Sequence, residues 1–157
     1  MSEPEPSCTW EHLRAGWSAV DAAATRMAGR VLAESLPGDT VVALSGPMGA
    51  GKTTFVQGMA AAWSIPGPVT SPTYTLYQIH AGDRQLVHVD ACRLDSPDAW
   101  DSLMIEPFLQ TPWCLAIEWP ENLDTLPDGL AYQVSFSGAS HPEGRSIQVK
   151  ALANDQD

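Results

Sequence analysis

A chain of 157 residues with 19 acidic against 8 basic side chains, a net charge of −11, has no clustered basic footprint with which to grip nucleic acid unaided. Its length suits one domain with a core large enough to stand without a disulfide or structural metal. Cys8, Cys92 and Cys114 show no C-x-x-C spacing, which argues against a disulfide framework or zinc site and for free thiols in a reducing cytoplasm.

The opening stretch is acidic and contains proline, without the basic end and apolar run of a signal peptide. No segment approaches the about 20 apolar residues of a membrane span. The expectation is a cytoplasmic protein without membrane attachment, one domain over 1–157, with flexible ends at 1–9 and 153–157.

In chain order, residues 18–36 read as a helix. Val20, Ala23, Ala24, Met27, Val31 and Leu32 recur at three- and four-residue steps, with Ser18 as expected N-cap and Asp21 suited to the positive end of the dipole. Pro37-Gly38-Asp39 stops it, and the near-continuous apolar run TVVALS at 40–45 predicts a strand buried on both faces. A Gly-rich turn leads to a second helix at 52–63. The stretch SIPGPVTSPT, with three prolines in ten residues, is a loop.

YTLYQIH at 74–80 and QLVHVD at 85–90 read as strands joined by a tight hairpin through Gly82-Asp83. SPDAWDSL begins a short helix, with Ser96 as cap and Pro97 in its first turn. WCLAIE at 113–118 is another buried strand, and AYQVSFS and RSIQVKA alternate as a C-terminal hairpin. The pattern predicts an α/β fold, a central sheet with parallel and antiparallel members and helices on its faces.

GPMGAGKTT at 46–54 matches the phosphate-loop pattern GxxxxGK[ST] completely, between a strand and a helix as that loop requires. Gly49 and Gly51 let backbone N–H groups wrap a phosphate, and the new helix aims its N-terminal donors at the same anion. Lys52, one of only two lysines in the chain, supplies positive charge to the β and γ phosphates, and the Thr53 hydroxyl suits magnesium. No NKxD-type guanine reader is present, so ATP is the expected nucleotide. After the loop only Arg84, Arg93 and Arg145 remain for the closing lid of a small-molecule kinase, which disfavours that alternative without removing it. A nucleotide-dependent binding module without functional hydrolysis is a third possibility.

Two apolar strands end on an acid, Asp90 and Glu118. Either acid alone has an ordinary explanation; Asp90, for instance, is within reach of an ion pair with Arg93. Beside a phosphate loop, however, magnesium needs an oxygen ligand beyond Thr53 and phosphate. Glu118, followed by the bulky Trp119-Pro120, is the choice for the metal, and Asp90 for orienting the attacking water or a more distant contact to magnesium. His88 lies on the same face as Asp90, and a packing role suits it better than metal ligation, since no other histidine has a matching spacing. The hydroxyl-rich TSPTYTL has two readings of equal standing, a γ-phosphate sensor and an ordinary turn.

Taken in order, GPMGAGKTT, TSPTYTL, HVDACRL and IEWPENL resemble the TsaE (YjeE) family of small bacterial P-loop ATPases over 18–126. The resemblance implies a P-loop NTPase three-layer sandwich and a part in forming N6-threonylcarbamoyladenosine at position 37 of tRNA. In that role ATP is hydrolysed with Mg2+ to reset a TsaD–TsaB pair, which makes most of the tRNA contact; no role on DNA is expected. By resemblance, Gly49, Ala50, Gly51, Lys52, Thr53 and Thr54 bind the nucleotide, and Thr53 and Glu118 match the metal positions. Lys52 and Asp90 serve hydrolysis. Trp119 sits near the nucleotide, and Thr70, Ser71 and Thr73 form a switch-like segment. The chain departs from the family at Cys92, where tyrosine is usual, and at Pro47.

Overall fold

The computed structural model describes residues 8–47, 49–72, 75–94, 96, 99–137 and 145–152, and within them seven strands join one sheet. Short helix α1 (Trp10–Ala15) leads into β1 (Trp17–Ala19), then α2 (Ala22–Ser35), β2 (Thr40–Ser45) and α3 (Lys52–Ala62). Next come β3 (Tyr77–His80), β4 (Gln85–Asp90), α4 (Ala99–Leu103), β5 (Trp113–Glu118), β6 (Leu130–Ser137) and β7 (Arg145–Leu152). The sheet order is β1-β7-β6-β2-β5-β4-β3. Its centre is parallel, with β2 beside β6 and β5, and β5 beside β4. Antiparallel pairs β6–β7, β7–β1 and β4–β3 close its flanks.

The start of the first long helix differs from the sequence expectation. Ser18 lies in β1, paired with Ser146 of β7, and Asp21 is the N-cap of α2, its carboxylate accepting from the Ala24 N–H at 2.8 Å. An Asp cap satisfies an otherwise unpaired helix donor, so the helix begins where that acid stands. α1 and β1 were not anticipated. α1 is capped by a reciprocal exchange between Thr9 and His12, and it buries Leu13. The expected 74–80 strand is observed from Tyr77; Tyr74, and Pro97 of the expected short helix, lie outside the described residues.

Apolar side chains on both faces of the sheet account for the layering. Val42, Leu44, Cys114, Ala116 and Val134 face α2 and α3, where Leu32, Phe55, Val56 and Met59 complete one core. Val41, Val87, Val89, Leu115 and Ile117 face the other way, against Trp100, Ile105 and Leu123. The result is a mixed α/β sandwich. Where α2 and α3 cross, side chains are absent. A Cβ at Gly29 would lie 2.0 Å from the Phe55 carbonyl oxygen, and one at Gly58 1.9 Å from that of Arg26. Glycine at both positions lets the helix backbones meet and fixes how far α3 can slide along α2.

At the amino ends of the parallel strands a buried guanidinium gathers loose backbone ends. Arg84 donates to the carbonyls of Leu36, Pro37 and Trp113, and lies over the Trp63 ring at 5.0 Å. Burial pulls its pKa below the ordinary value, opposed by Cys114 and Asp39. A guanidinium suits this task because its planar fork offers five donors at once. Arg84, one of three candidates for a catalytic lid, is therefore committed to structure.

Candidate functional site

The parallel strands β2, β4 and β5 end at the same edge of the sheet, where ligands of open α/β folds gather. β2 runs into the loop at 46–51, whose turns rest on positive φ at Gly49 (78°) and Gly51 (99°), a conformation with little steric cost only for glycine. Gly51 is also the N-cap of α3 and brings no side chain to cover the helix's first donors. That helix end offers N–H groups and the positive pole of the dipole to an anion.

Lys52 opens α3 and is buried. Its Nζ donates to the Gly46 carbonyl at 2.8 Å and stands 3.8 Å from the centroid of the Trp119 ring. Trp119 holds left-handed backbone angles (φ 61°, ψ 51°), which cost energy for a bulky residue and turn the chain sharply just after Glu118. The strand end thus delivers an acid and, one residue later, an aromatic lid over the loop lysine.

Thr53, on the next position of α3, donates from Oγ1 to Glu118 Oε2 at 3.3 Å. The same oxygen lies 2.5 Å from His88 Nε2. Asp90, in register with Glu118 on the neighbouring strand, accepts from the Cys92 N–H at 3.0 Å and so caps the 3-10 turn Ala91–Arg93. The N–H of residue 92 can make this bond whatever its side chain, and the Cys92 thiol bonds Asp90 as well. Pro47 is equally tolerated, for the loop uses its carbonyl, which accepts from the Ala50 N–H at 3.1 Å.

These groups border one cavity of about 520 Å³, within the range of small-molecule sites. Gly49, Gly51, Lys52, Thr53 and Thr54 line one side, Asp90, Glu118 and Trp119 the other, and Ser71 and Cys92 also reach it. Ala50 is buried beneath the loop. Thr70 borders a separate depression beside Gln57 and Ile65, and Thr73 lies outside the described residues. A larger cleft of about 670 Å³ beside Trp10, Tyr132 and Lys150 has no carboxylate in its lining and lacks the loop chemistry. Sequence reasoning read His88 as packing and missed its bond to Glu118. The only available signal was a polar residue in an apolar strand, on the same face as the acid at its end.

Comparison with known proteins agrees with this geometry. The family model described as "Threonylcarbamoyl adenosine biosynthesis protein TsaE" matches residues 19–147. The chain is 36% identical over 127 residues to the tRNA threonylcarbamoyladenosine biosynthesis protein TsaE of Mycobacterium tuberculosis, covering 74% of this chain and 75% of that one. It is 40% identical over 134 residues to the protein of the same name from Streptomyces coelicolor, covering 81% and 90%. Among solved structures, the crystal structure of YdiB from Bacillus subtilis superposes with a TM-score of 0.68 at 26% identity, covering 88% of this chain and 86% of that one. With the phosphate loop, the two acid-ended strands and the sandwich in place, the chain belongs to the TsaE family and has the P-loop NTPase fold.

Proposed function

We propose that this protein binds and hydrolyses ATP with magnesium and, through that cycle, supports repeated turnover of a TsaD–TsaB-like pair making N6-threonylcarbamoyladenosine at position 37 of tRNA. The observation that carries the reading is the convergence of Lys52, Thr53, Asp90 and Glu118 on one cavity at the mouth of a phosphate loop, in a chain of the TsaE family.

The chemistry of the donors suits the metal. A hydroxyl and carboxylates are hard oxygen ligands, and magnesium commonly takes one or two carboxylates with substrate phosphates and water rather than a full protein cage. Thr53 and Glu118, already in contact, would hold it; bound there, it neutralises phosphate charge. The chain's own residues do the rest. Lys52 leaves the Gly46 carbonyl to meet the phosphates, and the start of α3 adds its dipole. Asp90, held through Oδ1, orients the attacking water. Such a reaction needs positioning and charge neutralisation more than covalent help. The chain's acidity fits a subunit that leaves tRNA contact to its partners.

The test is reconstitution of a TsaB–TsaD pair with tRNA in limiting enzyme. Wild-type protein is expected to sustain many turnovers, and Lys52→Ala only the first. A pair that cycles equally well with no added protein would falsify the role.

A further inference from the structure

We infer that His88 is a positioning residue that sets the orientation of the Glu118 carboxylate for the metal-bound nucleotide. The inference deepens the proposed function and rests on the reading of Glu118 as a magnesium ligand.

The two-residue period of a strand puts Leu86, His88 and Asp90 on one face of β4 and Cys114, Ala116 and Glu118 on the matching face of β5, both toward α3. Parallel register pairs His88 with Ala116, whose methyl leaves room for the ring to lean toward the strand end. There Nε2 meets Glu118 Oε2 at 2.5 Å. In the Nε2–H tautomer the ring donates to that oxygen.

His88 is completely buried, and its Nδ1 has no hydrogen-bond partner among the described residues. As core filling this is a poor choice, because a leucine would occupy similar space without a buried unpaired nitrogen. Among the described residues the ring's hydrogen bond is with the carboxylate. Glu118 Oε2 is thereby held from two elements, by Thr53 of α3 and by His88 of β4. A glutamate has three rotatable bonds, and pinning one oxygen between a helix and a strand fixes the direction of the group before any ion arrives. Hydrogen-bonding partners behind a metal ligand orient it in this way, and their loss commonly costs about 10–100-fold in metal affinity or activity.

The experiment compares wild type, His88→Leu and His88→Gln by titrating magnesium into protein with ADP, followed by calorimetry, alongside ADP binding in EDTA. Gln is chosen because its amide can bring an N–H to the same oxygen. For His88→Leu the magnesium needed for half-maximal tightening of ADP is expected to rise about 10–100-fold, with the EDTA affinity unchanged; His88→Gln recovers most of the difference. Unchanged EDTA binding also shows that the phosphate loop is still folded. Wild-type magnesium dependence in His88→Leu overturns the inference and leaves the metal reading standing. Equal losses in Leu and Gln overturn it in favour of ring packing. If wild-type ADP binding ignores magnesium altogether, the metal reading fails and the inference goes with it.

Discussion

Asp90 and Glu118 are register partners at the ends of adjacent parallel strands, both buried, yet one carboxylate is held locally and the other from distant elements. Asp90 is bonded by residue 92 of the turn that follows it, through its backbone N–H and its thiol, whereas Glu118 is bonded by side chains from α3 and β4. A local bond moves with its own loop, while a bond across elements ties the acid to the phosphate-loop helix. This difference underlies the division proposed here, with the metal at Glu118 and the water at Asp90.

Asp90→Asn keeps an oxygen for the Cys92 N–H and removes the charge. Phosphate release is expected to fall about 10²–10⁴-fold, the usual contribution of a positioned acid or base, while ADP affinity stays near wild type. Parallel loss of binding and hydrolysis would assign Asp90 to the metal instead.

The indole of Trp119 covers the Lys52 ammonium, a contact of about 0.5–2 kcal/mol. Nucleotide phosphates draw that ammonium away, so tryptophan emission is expected to change on ATP binding. The chain has 6 tryptophans, so the assignment requires Trp119→Phe, in which the change is lost while calorimetry still detects ATP. A signal that survives the substitution belongs to another indole.

At the helix crossing, Gly58→Ala would put a Cβ 1.9 Å from the Arg26 carbonyl oxygen. Overpacking of this kind typically costs about 1–3 kcal/mol, and here the neighbour is backbone that cannot swing aside. The melting temperature is expected to fall by several degrees, together with nucleotide affinity, because α3 carries Lys52 and Thr53. A wild-type melting temperature would show that the helices can separate at little cost.

Cys92 is exposed, whereas Cys8 and Cys114 are buried, and burial pushes their thiols up to about 11 and about 12. The Cys92 pKa is raised as well, by partial burial first and then by the bond and charge of Asp90. Only the thiolate reacts, and a raised pKa keeps the proton on to higher pH. Alkylation by iodoacetamide is therefore expected first at Cys92, slow at neutral pH and accelerating through a midpoint above the ordinary 9.0. Because Cys92 borders the cavity, magnesium and ADP are expected to slow it. Peptide mass spectrometry reads both effects; first labelling at Cys8 or Cys114 would contradict them.

The central strands and the phosphate loop were legible because their signals are local. TVVALS, QLVHVD and WCLAIE are apolar runs that end in polar residues, and the loop carries its own glycines and lysine. β1 was not legible. It has three residues and exists because β7, far along the chain, pairs with it. α1 was missed for a related reason, since His12 stands where a capping box usually shows Glu or Gln. The polar partners of the site were the hardest to foresee. His88 meets Glu118 across 30 positions, and Arg84 meets Leu36 across 48, through strand register that no spacing in the sequence records.

Among the described residues the buried charges cancel, Lys52 and Arg84 against Asp90 and Glu118. The full net charge of −11 therefore belongs to the rest of the chain, much of it at the surface. ATP, itself an anion, reaches the phosphate loop only by crossing a repulsive outer field. Salt screens such a field over about 10 Å at 0.1 M. The association rate for ATP is accordingly expected to rise with ionic strength, as stopped-flow measurement can show, whereas a partner with a basic face is steered in and slowed by the same salt.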